Sequence, residues 1–105
     1  MVKIVWAPRA IKDIQEIAEF ISKDSLQYAE EQAKLFFTEA AILEKYPHIG
    51  RMVPELGVSS IRQILCGHYR IIYEVISKKE VAIITVHHQA RLLKNNPVVK
   101  KLGKK

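Results

Sequence analysis

Residues 61–88, IRQILCGHYRIIYEVISKKEVAIITVHH, decide the architecture. Ile61–Leu65, Tyr69–Ile76 and Val81–His87 are three runs rich in β-branched residues, broken by Cys66-Gly67-His68 and by Ser77–Glu80. That spacing predicts an antiparallel meander with tight connections. Alternation along the middle run sets Arg70, Ile72, Glu74 and Ile76 on one face and Tyr69, Ile71, Tyr73 and Val75 on the other. The uncharged set is the one to pack against the rest of the chain, which leaves Arg70 and Glu74 on an open face. Ile71, Ile72, Val81, Ile83, Ile84 and Val86 make both faces apolar, so the sheet should be covered on one side and partly sheltered on the other.

Upstream the period changes. Ala10, Ile11, Ile14, Ile17, Ala18 and Ile21 recur at helical spacing, with Lys12, Asp13, Gln15, Glu16 and Glu19 between them, and Pro8 suits the first turn of that helix. Asp24 or Ser25 can cap a second helix, Asp24 and Gln27 having capping-box spacing. Its stripe runs through Ala29, Ala33, Phe36, Phe37, Ala40 and Leu43 and stops near Tyr46, before Pro47. The alanines let the two helices approach closely as a hairpin. A loop punctuated by Gly50, Pro54 and Gly57 leads to the meander, and residues 2–6 form a short first strand that adds to it as an edge. The expectation is an α+β fold: an antiparallel sheet in the order β-α-α-β-β-β, packed against an N-terminal helical hairpin.

With 105 residues, 49% hydrophobic and 27% charged, the chain has the composition of one folded domain and excludes a disordered one. Its lone Cys66 allows neither an intrachain disulfide nor a thiolate zinc site, and no signal-peptide core or membrane span is present. Cytoplasm is the expected compartment, with no cofactor and no metal. The +6 charge is unevenly placed. Residues 1–88 hold 11 basic and 11 acidic side chains, whereas residues 89–105 hold Arg91, Lys94, Lys100, Lys101, Lys104 and Lys105 and no acid. We therefore divide the chain into a domain at 1–93 and a basic tail at 94–105. Such a tail attracts phosphate backbones or an acidic protein, or simply solvates a frayed end.

Five stretches carry a family resemblance: Pro47-His48-Ile49-Gly50-Arg51, Pro54-Glu55-Leu56-Gly57, Ile61-Arg62, Tyr69-Arg70-Ile71-Ile72-Tyr73, and Val86-His87-His88-Gln89-Ala90-Arg91. Trp6, Asp13-Ile14, Asp24-Ser25 and Ala29 extend it over the front half. In this order the chain resembles the RelE/ParE superfamily of toxins from type II toxin–antitoxin (plasmid stabilisation) modules. The resemblance implies a growth-inhibiting toxin held inactive, in an oligomeric complex, by a small acidic antitoxin that wraps it with a helix and extended segments.

Two branches imply different chemistry. RelE-like members cut messenger RNA on the ribosome. For that role the resemblance falls on Arg70 as a phosphate contact and on His87 or His88 for proton transfer, an unperturbed imidazole titrating near neutrality. The RelE-like C-terminal tyrosine is missing, since no tyrosine follows Tyr73. ParE-like members block DNA gyrase, and the long two-helix front, the Pro-Glu-Leu-Gly loop and the ending at His88 and Arg91 look closer to that branch. A third possibility is a non-toxic basic module that binds nucleic acid by charge alone.

The candidate residues each have a plain structural alternative. Arg62, Arg70, Arg91 and Lys94 are candidates for target or nucleic-acid binding, yet Arg70 would equally serve an ion pair. Ile14, Ile17, Ile21 and Arg91 are candidates for antitoxin binding. His87 and His88 point to opposite sides if both remain in a strand, so at most one faces any given site, and consecutive strand residues diverge too far to share a metal. Trp6, Phe36 and Phe37 are expected in the core, and His48 and His68 at the surface.

Overall fold

The computed structural model describes residues 1–102. A four-residue strand β1 (Lys3–Trp6) passes through Ala7 straight into helix α1 (Pro8–Ser22), with Pro8 in the first turn. Ser25 rather than Asp24 caps α2 (Leu26–Ala40), its side chain accepting the Tyr28 N–H at 3.1 Å. A 3-10 turn at Ala41–Glu44 returns the chain to the start of β1, where Val2 N–H donates to the Glu44 carbonyl. The meander follows as β3 (Ile61–Cys66), β4 (Tyr69–Val75) and β5 (Glu80–His88), both pairs antiparallel. Gly67, at φ +59°, makes the two-residue β3–β4 connection possible, because a positive φ at its first position matches the twist of the flanking strands.

The α+β class and the expected elements are all present, with three departures. First, β1 pairs with β5 in parallel, Lys3 beside Glu80 and Trp6 beside Ile83, so the sheet is mixed rather than wholly antiparallel. The direction of a short edge strand is not written in its own alternation. It is set by the helical hairpin, which must start at the end of Trp6 and return at Glu44. Second, a two-residue strand β2 (Arg51–Met52) forms inside the expected loop and closes the order β1-β5-β4-β3-β2. Third, residues beyond Leu92 fold: a 3-10 turn (Leu93–Asn95) and a short helix α3 (Pro97–Leu102) follow the meander. Lys104 and Lys105 of the expected tail lie outside the described residues.

Two cores result. Against the hairpin, Ala10, Ile14, Phe36, Ala40 and Leu43 pack on Ile71, Tyr73, Val81, Ile83 and Val86, the face that alternation assigned to the helices. On the other face Val53, Ile61 and Ile72 are covered by Leu93 and Val99 from the C-terminal segment. Both faces are thus sealed at their centres. Phe36 is buried, but its neighbour Phe37 is 44% exposed and lies against Trp6 with ring centroids 4.6 Å apart. Adjacent helical residues point about 100° apart, so the core could take only one of the pair fully.

One irregularity positions the rest. Ile72 stands opposite Thr85 and Tyr73 opposite Ile83, which makes Ile84 an extra residue in β5. This bulge shifts the alternation by one. Ile83 and Val86 both face the hairpin, whereas Thr85 and His87 turn to the other side.

Candidate functional site

The registers sort the candidate cations and imidazoles. Arg70 and His87 are cross-strand partners and share the non-helical face. His88 stands opposite Tyr69 and Arg62 opposite Tyr73, both on the helical face. Of Arg62, Arg70 and the two histidines, the structure brings together only Arg70 and His87, the histidines diverging as consecutive strand residues must and Arg62 lying on the opposite face. Arg62 instead braces the loop before β2, Nη1 donating to the Gly50 carbonyl at 2.8 Å, while Gly50 N–H donates to Tyr73 Oη at 2.9 Å. A Cβ at Gly50 would sit 2.6 Å from both Tyr73 Oη and the Gln63 carbonyl oxygen, which is why no larger residue fits.

Arg70 is held in a fork. Its Nη1 and Nη2 reach the two carboxylate oxygens of Glu55 at 3.0 and 2.9 Å, and Nη1 also donates to Gln63 Oε1 at 3.2 Å. This two-point ion pair ties the Val53–Gly57 loop to the sheet and is the structural alternative foreseen for Arg70, made with a loop residue rather than a neighbouring strand. The Arg70 hydrogen bonds hold the Glu55 carboxyl below its ordinary range, against a smaller opposing effect of burial. With the Glu55 side chain 40% exposed, solvent screening limits the worth of the pair, and Glu55→Gln is expected to cost under about 1 kcal/mol in urea denaturation.

His87 is buried and both of its ring nitrogens are engaged. The assignment follows from Asn96. Its Oδ1 accepts the N–H groups of Val98 (2.9 Å) and Val99 (3.4 Å), which can only donate, so its Nδ2 must be the atom facing Thr85 Oγ1 and His87 Nδ1, each at 3.1 Å. His87 Nδ1 is therefore the bare acceptor, and Nε2–H donates to the Arg91 carbonyl at 3.1 Å. Burial lowers the His87 pKa, with the charges of Arg70 and Arg91 acting the same way. The ring is a neutral structural strut between β5 and the C-terminal segment, and it has no free nitrogen with which to exchange a proton with a substrate.

The same network reaches α1. Asp13, assigned by periodicity to the polar side of its helix, is buried, and its carboxylate accepts from Thr85 Oγ1, from Val86 N–H at 3.0 Å and from Arg9 Nε at 2.9 Å. Because β1 ends opposite Ile83, Val86 has no strand neighbour on that edge, and Asp13 supplies the missing acceptor. Sequence reasoning missed this role, as well as that of Asn96. The signal for Asn96 was present as Asn96-Pro97, a cap residue before a proline in the first helical turn.

The His88 and Tyr69 rings meet nearly perpendicular, centroids 5.0 Å apart, and His88 Nδ1 accepts the Ala90 N–H at 3.0 Å. Arg91 and Lys94 are exposed beyond β5. Of the antitoxin candidates, Ile14 is only 5% exposed and belongs to the core, so it cannot serve as a docking residue. Ile17 and Ile21 remain partly exposed. Among the described residues no group of three or more His, Cys, Asp or Glu side chains could hold a metal ion, and no helix is long and apolar enough to cross a membrane.

This architecture has relatives. The chain is 29% identical over 92 residues to Toxin RelE2 of Caulobacter vibrioides, a match spanning 88% of this chain and all of that protein. Its fold is similar to a structure of the chromosomal ParDE toxin–antitoxin system from P. aeruginosa, with a TM-score of 0.70 at 16% identity over 84% of this chain and 96% of the other. It is also similar to a structure of the E. coli DinJ-YafQ complex, with a TM-score of 0.57 at 15% identity over 89% and 99% of the two chains. The family model described as the ParE toxin of the type II toxin–antitoxin system parDE matches residues 4–93, from the first strand through the buried Leu93, and the chain therefore belongs to that toxin family.

Proposed function

We propose that this toxin arrests growth in the ParE manner, by engaging DNA gyrase, and that it has no ribonuclease chemistry of its own. The carrying observation is that the two residues on which the nuclease resemblance falls and which share one sheet face, Arg70 and His87, are engaged in holding the fold together. In-line cleavage by a ribose hydroxyl requires a free cation for the phosphate and groups able to accept and deliver protons. Arg70 is forked onto Glu55, His87 has both nitrogens in internal bonds, and His88 lies across the sheet from Arg70. The cross-strand pairing of Arg70 with His87 is the one feature that favours the RelE-like alternative, ribosome-dependent messenger RNA cleavage.

Arg70→Ala separates the two. Under the gyrase reading the variant still arrests growth, induces DNA-damage signalling and leaves transcripts intact in primer-extension mapping. Codon-positioned cuts made by the wild type and lost in Arg70→Ala would establish the nuclease instead.

An antitoxin is the natural restraint on such a chain. The groove between α1 and α2, lined by Ala18, Leu26, Ala29 and Ala33, offers a shallow apolar bed for a partner helix. The excess positive charge beyond residue 88 favours an acidic partner.

A further inference from the structure

A second concave surface lies at the other side of α1, where β1 stops and leaves the last residues of β5 flanked by α1 and the C-terminal segment. It is a cleft of about 550 Å³, with Ile17 and Phe20 of α1 on one wall, Tyr69 and Val86 along the floor, and His88 and Arg91 at the rim. Phe20 is 66% exposed, which leaves its ring available on that wall.

The polar side of the cleft is rich in donors. The main chain of Arg91 is fixed, its N–H donating to the His88 carbonyl and its carbonyl accepting from His87 Nε2, while its guanidinium makes no ion pair or hydrogen bond among the described residues. His88 accepts the Ala90 N–H on Nδ1, so its proton resides on Nε2 and that nitrogen is a donor. Of the acids on the α1 wall, Asp13 is held by three donors, while Glu16 is 54% exposed and meets only Arg9, at 3.6 Å. Neither the Arg91 guanidinium nor His88 Nε2 meets an acceptor among the described residues.

We infer that this cleft is an anchor site for the antitoxin, taking an apolar side chain between Ile17, Phe20 and Tyr69 and a neighbouring carboxylate on Arg91 and the His88 Nε2–H. The inference rests on the antitoxin reading above and specifies what that partner must carry there: an acidic residue next to a large apolar one in a single short segment. Charge complementarity selects the occupant, because the cleft opens beside the acid-free stretch that begins after His88.

The test is the affinity of the full chain for the antitoxin polypeptide of its own module, measured by calorimetry for the wild type, Arg91→Glu, Arg91→Lys and Phe20→Ser. Lys78→Glu, at the β4–β5 turn, serves as a control for charge change alone. Arg91→Glu should weaken binding by about tenfold or more, Arg91→Lys should recover most of it, and Phe20→Ser should weaken binding without changing its salt dependence. All variants should keep the wild-type circular dichroism, since both side chains are exposed. Tight wild-type binding left unchanged by Arg91→Glu and Phe20→Ser would overturn the anchor site while sparing the antitoxin reading; no wild-type binding would overturn both. Loss of self-association of the isolated chain in Arg91→Glu, with antitoxin affinity unchanged, would assign the cleft to a second copy and overturn the proposal.

Discussion

Asp13→Ala is expected to destabilise the domain by about 3–4 kcal/mol, the largest effect of any single truncation considered. The carboxylate is 6% exposed and is the common acceptor for a helix-borne arginine, a strand hydroxyl and a strand N–H. Removing it returns Arg9 to water, because that side chain is a third exposed, but Thr85 Oγ1 and Val86 N–H stay buried without this acceptor. A buried donor left unsatisfied costs the full desolvation of the group rather than the small net value of a hydrogen bond. For a domain of this size the midpoint of thermal unfolding should fall by on the order of 15 °C. Asp13→Asn, which keeps one acceptor oxygen for Val86, should recover part of the loss. A fall of only a few degrees in calorimetry for Asp13→Ala would show that the edge of β5 is satisfied in some other way.

The second large effect concerns the C-terminal segment. Asn96 makes four hydrogen bonds from a buried position, two of them capping α3 and two holding Thr85 and His87. Asn96→Ala should lower stability by about 2–3 kcal/mol, with hydrogen-exchange protection of residues 93–102 lost before that of the meander. Acid should act on the same joint. His87 is held neutral, with a pKa below the ordinary imidazole value of 6.5, and a proton on Nδ1 would face the Asn96 amide hydrogens. Burial is the largest cause of this shift; the hydrogen bond to the Arg91 carbonyl and the charge of Asp13 oppose it, and the charges of Arg70 and Arg91 reinforce it.

The unfolded chain therefore binds the proton more readily than the folded one. The stabilisation is fully present above about pH 6.5 and is lost as pH falls below that value toward the folded pKa, at up to about 1.4 kcal/mol per pH unit. The depressed carboxyl of Glu55 contributes in a separate window, its stabilisation being lost only as pH falls below the ordinary 4.5. Urea denaturation from pH 7.5 to 5 should show the His87 slope in the wild type and a flatter profile in His87→Gln. Equal slopes in the two proteins would rule out the imidazole as its source.

The protonated and neutral states differ in more than stability. Because Leu93 and Val99 cover Ile61 and Ile72, the segment that Asn96 and His87 hold in place is also what shields the centre of the non-helical face. Arg70 lies on that face as well, but its fork to Glu55 does not depend on α3. Variants at Asn96 and at Glu55 should thus affect different parts of the surface, and their stability effects should add within about 0.5 kcal/mol.

Much of this protein was legible along the chain. The meander, the two helices, the Gly67 turn and the assignment of Tyr69, Ile71, Tyr73 and Val75 to the helical face all follow from periods of 2 and 3.6, which depend only on near neighbours in sequence. The family resemblance was legible for the same reason, since its motifs sit in those local elements. What assembly alone decided is the direction of β1, the extra residue at Ile84, and the burial of Asp13 and Asn96. None of these is a local preference. A four-residue strand pairs either way until the helical hairpin constrains its ends, and a bulge is specified by two strands together. A charged residue on a helix looks solvated until a strand edge elsewhere lacks an acceptor. The candidate site depended on those three facts, which is why Arg70 and His87 could be picked out in the chain as chemically capable, whereas only the folded molecule shows both already engaged in holding it together.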